Sequence, residues 1–397
     1  MNWLGGYSQQ ARPLAAVAFA IAAVIGSGAR AEEAEPQNPP LTLGLTYQLD
    51  TVGTLRGGLE RGSGVLDNLT LSAFADLDRM VGWKGGSAQF DLISTGGDTP
   101  SALAGALQGV DGIEVTAHRL RLYQAWIEQD LAGGRANLRL GFSDVSGEFA
   151  GADASGLLLN PSFGMAPDFA ASGASAFPST SIGARLRLAP SDHTYVQAAV
   201  VNARTGVPGD EGGADFSFAD GEVVMVEAGA TGRGKIAVGA WRMTSKQDDL
   251  AELDPSGQPL RRTAQGAYLL VEQPLSVGQT RATTAFLRAG LADGRTSPFR
   301  GSLQAGLLVT PVFAVRPDSS LTIGVTYAAL SQAYRDASVL AGAPSSDHGE
   351  TVLEIAYSDQ IASKVRLQPD LQWVHRPGGD GQIKDALVAT LRLELAL

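Results

Sequence analysis

The last thirteen residues, DALVATLRLELAL (385–397), place Leu387, Ala389, Leu391, Leu393, Leu395 and Leu397 in strict alternation with Val388, Thr390, Arg392 and Glu394. Neighbouring side chains on a β-strand point to opposite faces, so this segment makes a ribbon with one oily surface and one largely polar one. The same two-residue period recurs through most of the chain. A chain whose strands present one face to hydrocarbon and the other to water is built as a transmembrane barrel.

The first residues read as an address. Arg12 supplies a positive charge, PLAAVAFAIAAVI (13–25) is apolar, and Ala29-Arg30-Ala31 fits the small-x-small pattern of export-signal cleavage. Cleavage is expected after Ala31, leaving EEAEPQNPP (32–40) as a proline-rich periplasmic leader and 41–397 as the barrel domain. Beyond the signal there is no run of 18 apolar residues, so membrane-spanning helices are excluded. A chain that still crosses the bilayer has to satisfy its backbone in a closed barrel.

Composition narrows the function. There is no cysteine, hence no disulfide framework, thiol nucleophile or thiolate metal site. Removing residues 1–31 takes away two of the 30 basic residues and none of the 41 acidic ones, leaving a net charge of −13. Nucleic acid is therefore not an expected partner. Forty-nine glycines and a mean hydropathy near zero suit many strands and turns whose two faces cancel in any average.

Read segment by segment, the alternation yields about sixteen strands, an all-β antiparallel up-and-down barrel of the size that encloses water. Oily sets include Leu41, Leu43, Leu45 and Tyr47; Ile182, Ala184, Leu186 and Leu188; and Leu321, Ile323, Val325 and Tyr327. RLRLYQAWIEQ (119–129) is a strand whose odd and even positions are both mixed, leaving its register open. An Arg turned toward lipid near the midplane costs about 2–4 kcal/mol, so Arg185 and Arg187 must face the lumen. Short turns such as 132–134 and 232–234 fit the periplasmic side. Long segments at 95–116, 144–180, 203–221, 243–263 and 331–348 fit the outside, and the longest, 144–180, is expected to fold inward as a constriction.

RLYQAWIEQ (121–129), LRLGFSDVSGEFA (138–150), LLLNPSFGMAPDF (157–169), ETVLEIAYSDQ (350–360) and LQPDLQWVHRPGG (367–379) together resemble the carbohydrate-selective porins of the OprB type. The resemblance is strongest in the C-terminal fifty residues and implies a sixteen-stranded outer-membrane barrel with a narrow pore, lined by arginines and acids, for facilitated diffusion of small sugars. It also implies outer-membrane lipid and lipopolysaccharide as surroundings and the barrel-assembly machinery during insertion, and leaves an oligomer open. The family more often has Asn where Ser146 stands, and outer-membrane barrels usually end in Phe where this chain has Leu397.

Uncharged polyols need donors and acceptors that replace water without a tight grip, and dense rows of Arg, Asp, Glu, Gln and Asn provide them. The candidate lining residues are Arg139, Glu148, Arg185, Arg187, Glu354, Arg366, Gln368, Asp370, Gln372 and Arg392, each alternatively an ion pair bracing the wall. The four histidines are scattered without metal spacing, Gly232-x-Gly234 is a hairpin turn and no G-x-S-x-G elbow occurs, so no cofactor is expected and no enzymatic centre is legible. Asp248, Asp249, Glu252 and Asp254 form an acidic cluster read as solvated, with calcium as the alternative. A general ion porin and, further off, an outer-membrane enzyme are the competing functions.

Overall fold

The computed structural model describes residues 39–170, 177–203, 214–278, 281–342 and 347–397; the expected signal peptide and all but the last two residues of the leader lie outside them. Sixteen strands follow in chain order: β1 (Leu41–Gly58), β2 (Gly62–Asp76), β3 (Gly86–Gly97), β4 (Arg119–Leu131), β5 (Ala136–Ser143), β6 (Ser181–Ser191), β7 (Thr194–Asn202) and β8 (Glu222–Thr231). They continue as β9 (Lys235–Leu253), β10 (Pro259–Val277), β11 (Ala282–Ala292), β12 (Phe299–Thr310), β13 (Ser320–Leu330), β14 (Gly349–Ala362), β15 (Val365–His375) and β16 (Lys384–Ala396). Each pairs antiparallel with its neighbours and β16 pairs with β1, so the sheet has no free edge. At the seam Tyr47 lies opposite Leu395 and Asp50 opposite Arg392.

The alternation sets the faces. Leu43, Val196, Val238, Leu303 and Leu391 stand exposed on the outer wall, while Asp50, Gln197, Glu227, Gln304 and Glu354 are buried inside. The mixed strand β4 owes its ambiguity to a bulge: Asp91 faces Gln124 but the next residue, Leu92, faces Leu122, so Tyr123 is the extra residue. Arg121 points inward before it, and Gln124, Trp126 and Glu128 after it.

Connections alternate between short turns at the end holding the first and last strand termini and longer loops at the other. The turn at 232–234 closes with Gly232 N–H donating to Gly234 O at 2.9 Å. Loop 2 (98–118), loop 3 (144–180), loop 4 (203–221) and loop 7 (331–348) are long, as the sequence leads one to expect. The segment 243–263 is not a loop. There β9 and β10 run past the oily band as a hairpin, because Asp248 pairs with Arg261 at 2.6 Å while Asp249 and Glu252 share Arg262 and Arg295. Asp254 accepts from the backbone of its own turn, at Ser256 and Gln258. The acidic cluster is thus occupied by arginines and backbone N–H groups, neither solvated alone nor arranged for calcium; among the described residues no group of three or more potential ligands could hold a metal.

Short helices decorate the connections: α1 (Leu77–Val81) in a short turn, α2 (Pro100–Ala104) in loop 2, α3 (Pro161–Gly164) and α4 (Pro167–Ala170) in loop 3, and α5 (Gln332–Leu340) in loop 7. Loops 2 and 3 turn into the barrel. Phe149, Met165 and Phe169 of loop 3 pack on Met225, Trp241, Met243 and Tyr268, and Val110 and Ile113 of loop 2 on Val52, Leu66, Val352, Val374 and Val388. These inward-facing apolar wall residues interrupt the polar face where a loop covers them.

Candidate functional site

Loop 3 is fixed by buried polar groups. Arg288 of β11, 1% exposed, donates to the carbonyls of Ala150, Ser162, Phe163 and Gly164, so one guanidinium gathers four loop acceptors. Glu354 of β14 accepts from the N–H groups of Leu159 and Asn160. Gln368 donates to Leu157 O at 2.7 Å, and Asn160 caps α3 while donating to Gly109 O of loop 2 at 2.8 Å. Loop 2 is held the same way. Glu350 accepts from Leu107 and Gln108 N–H at 2.9 Å each, and Gln372 donates to Val110 O at 2.7 Å.

Two glycines clear the landing sites. A Cβ on Gly290 would collide with the carboxylate of Asp168, which accepts from Ser302, and one on Gly324 would lie 2.9 Å from the ring of Phe163. Burial pushes the Asp168 carboxyl above its usual range, with the Ser302 hydroxyl drawing it back.

The two loops make the lumen one-sided. Inward groups on β11–β15, among them Arg288, Gln304, Thr322, Thr326, Glu354, Ser358 and Gln372, are essentially inaccessible. Across the barrel Gln48, Thr70, Gln89, Gln124, Glu128, Arg139 and Arg187 keep part of their surface open to water. Water therefore reaches the wall along β1–β6, on the rows nearer the short turns than Val52 and Leu66, which loop 2 covers.

On it sits a four-membered charge ring. Arg139 Nε contacts Glu128 at 2.7 Å and its Nη1 contacts Glu148 at 2.5 Å; Arg185 Nη2 contacts Glu128 at 2.8 Å and its Nε contacts Glu148 at 2.5 Å. Glu148 comes from loop 3, so the ring ties the inserted loop to β4, β5 and β6. Two guanidinium and two carboxylate groups cancel, leaving a strongly polar but neutral surface. The Arg139 guanidinium lies 3.9 Å over the Trp126 ring, and Arg187 lies 3.9 Å over Tyr195.

The ten residues singled out from the sequence therefore part company. Arg139, Glu148 and Arg185 converge on the ring, with Arg187 one row below. Arg392 pairs with Asp50 at 2.6 Å and reaches Asp111 of loop 2 at 3.4 Å. Glu354, Gln368, Asp370 and Gln372 lie beneath the loops, at 0%, 6%, 5% and 0% exposure, and all but Asp370 hydrogen bond to loop backbone. Arg366 donates to Ser358 near the short-turn end, away from the ring. Glu128, Glu350 and Arg288 were not singled out. Glu128 lies in the strand whose register the sequence leaves open, and Arg288 stands in the sequence as a lone cation among the uncharged residues of β11.

Comparison with known proteins agrees with this architecture. The carbohydrate-selective porin, OprB family matches residues 60–397. The chain is similar to Porin B of Pseudomonas aeruginosa, at 21% identity over 95% of this chain and 96% of that protein. Its fold is similar to the high-pH structure of Pseudomonas putida OprB, with TM-score 0.81 and 19% identity over 90% of this chain and 94% of the other. It is more distantly similar to Salmonella typhi OmpF in complex with daunomycin, with TM-score 0.55 and 10% identity over 90% and 97% of the two chains. With its closed sixteen-stranded wall and inward-folded loops, the chain belongs to the OprB family of carbohydrate-selective porins and forms an outer-membrane channel for sugar diffusion.

Proposed function

We propose that mono- and disaccharides cross along the β1–β6 wall and meet their narrowest polar passage at Arg139, Glu148, Arg185 and Glu128. The observation that carries this reading is the ring's charge balance. Its guanidinium donors already have carboxylate partners at 2.5–2.8 Å, so a passing hydroxyl exchanges hydrogen bonds with groups that do not need it. Binding strong enough to enter and weak enough to leave is what diffusion through a pore requires. Arg187, held by the buried Gln197 at 3.1 Å, continues the polar track toward the periplasmic end.

Driven only by a concentration gradient, this passage needs no catalytic group, and no enzymatic activity is proposed. We also place in this reading the removal of residues 1–31 on export, insertion by the barrel-assembly machinery and contact with lipopolysaccharide; assembly into an oligomer stays outside it. Liposome swelling with a panel of sugars tests the proposal. Glucose-sized solutes should enter several-fold faster than trisaccharides and at a rate insensitive to added salt. Equal rates for ions and for sugars of every size would replace the sugar channel with a general porin.

A further inference from the structure

The external end of the outer wall carries a concavity of about 980 Å³ across β8–β11. It follows from one row of side chains. Val226 lies opposite Ala240, Ala240 opposite Ala267, and Ala267 opposite Leu291, so two small residues sit between two large ones. One row nearer the periplasm the order reverses, with Val238 opposite Leu269 and the smaller Ala228 and Ala289 on either side of them. The result is an apolar trough that opens toward the cell exterior.

At that open end stand Arg242 and Lys246, both exposed and both lining the concavity. Neither side chain makes an ion pair or hydrogen bond with any described residue, unlike the arginines a few residues away on the same hairpin, Arg261 and Arg262. The one carboxylate in the lining, Asp293, is taken by the N–H groups of Arg295 and Thr296 and by the Thr296 hydroxyl. Four residues of extended chain place the two cations roughly 13 Å apart.

We propose that this trough binds a phosphorylated glycolipid of the outer leaflet, lipopolysaccharide, with an acyl chain over Ala240 and Ala267 and phosphates on Arg242 and Lys246. The inference rests on the outer-membrane placement of the barrel but not on what the lumen conducts. Two separated cations above an oily slot match a disaccharide headgroup bearing a phosphate at each end. Arg and Lys both bind phosphate strongly, and a surface facing lipid has no protein competitor for them.

Native mass spectrometry of the full chain in detergent, titrated with bis-phosphorylated lipid A, tests the site. The wild type should retain one lipid, and R242Q/K246Q should weaken retention at least tenfold. A240L/A267L, which fills the trough and keeps both charges, should weaken it as well. Heat-modifiable gel mobility verifies that each variant is folded, and sugar-driven swelling should be the same in all three, separating this claim from the channel reading. Equal retention by wild type and variants, equal retention of dephosphorylated lipid A, or a mass showing two barrels joined through this face instead would overturn the proposal.

Discussion

Neutrality of the ring is set residue by residue, and each member can be removed to expose its partner. R139A leaves two carboxylates against one guanidinium at the passage, so the cation-to-anion permeability ratio should rise severalfold, read as a shift in reversal potential under a salt gradient. E148Q should shift it the other way, and an unchanged potential in both would place the ring outside the ion path. Gly290 makes a second test at this scale. G290A puts a methyl group where Asp168 sits, and overpacking of this kind costs about 1–3 kcal/mol. Loop 3 should lift from β11, raising single-channel conductance; an unchanged conductance would mean that the loop finds room without moving.

At the scale of elements, loop 3 is a plug held by strands rather than a strand-like element. E354A strands the N–H groups of Leu159 and Asn160 without their buried acceptor, so current through the open channel should become noisier and larger sugars should pass faster. D168N adds a pH arm. Because burial raises the native carboxyl above its unfolded value, the wild type loses stability as pH rises from the ordinary carboxylate range, about 3.9, through the raised native value, and the loss is then constant. The variant lacks that loss, so its urea-unfolding midpoint in detergent should exceed the wild type's at pH near 7 and match it in acid. Strands were legible from sequence because the lipid and the lumen impose opposite demands every second residue, and all sixteen segments read as strands are strands. What the inward-folded loops would touch was not, since alternation says which side a residue faces and nothing of what covers it. Glu354 and Gln372 looked like lining for that reason. Val388, standing with Thr390 and Arg392 on the polar face of β16, was the visible sign of a docked loop. The hairpin at 243–263 escaped because its strands leave the oily band, where ion pairs replace alternation.

For the whole molecule, one wall is filled by loops 2 and 3 and the other carries water, so the barrel has a narrow path despite a circumference of sixteen strands. Closure of β16 on β1 leaves no edge to aggregate, and the folded chain should need detergent for extraction and migrate faster on gels before boiling than after. The measurement that bears most directly on the channel's identity is single-channel current in a planar bilayer with glucose added at millimolar concentration. A sugar lying against this neutral polar cluster should give a partial, concentration-dependent block, because an occupied passage excludes ions; current indifferent to glucose across that range would contradict a sugar path along Arg139, Glu148 and Arg185.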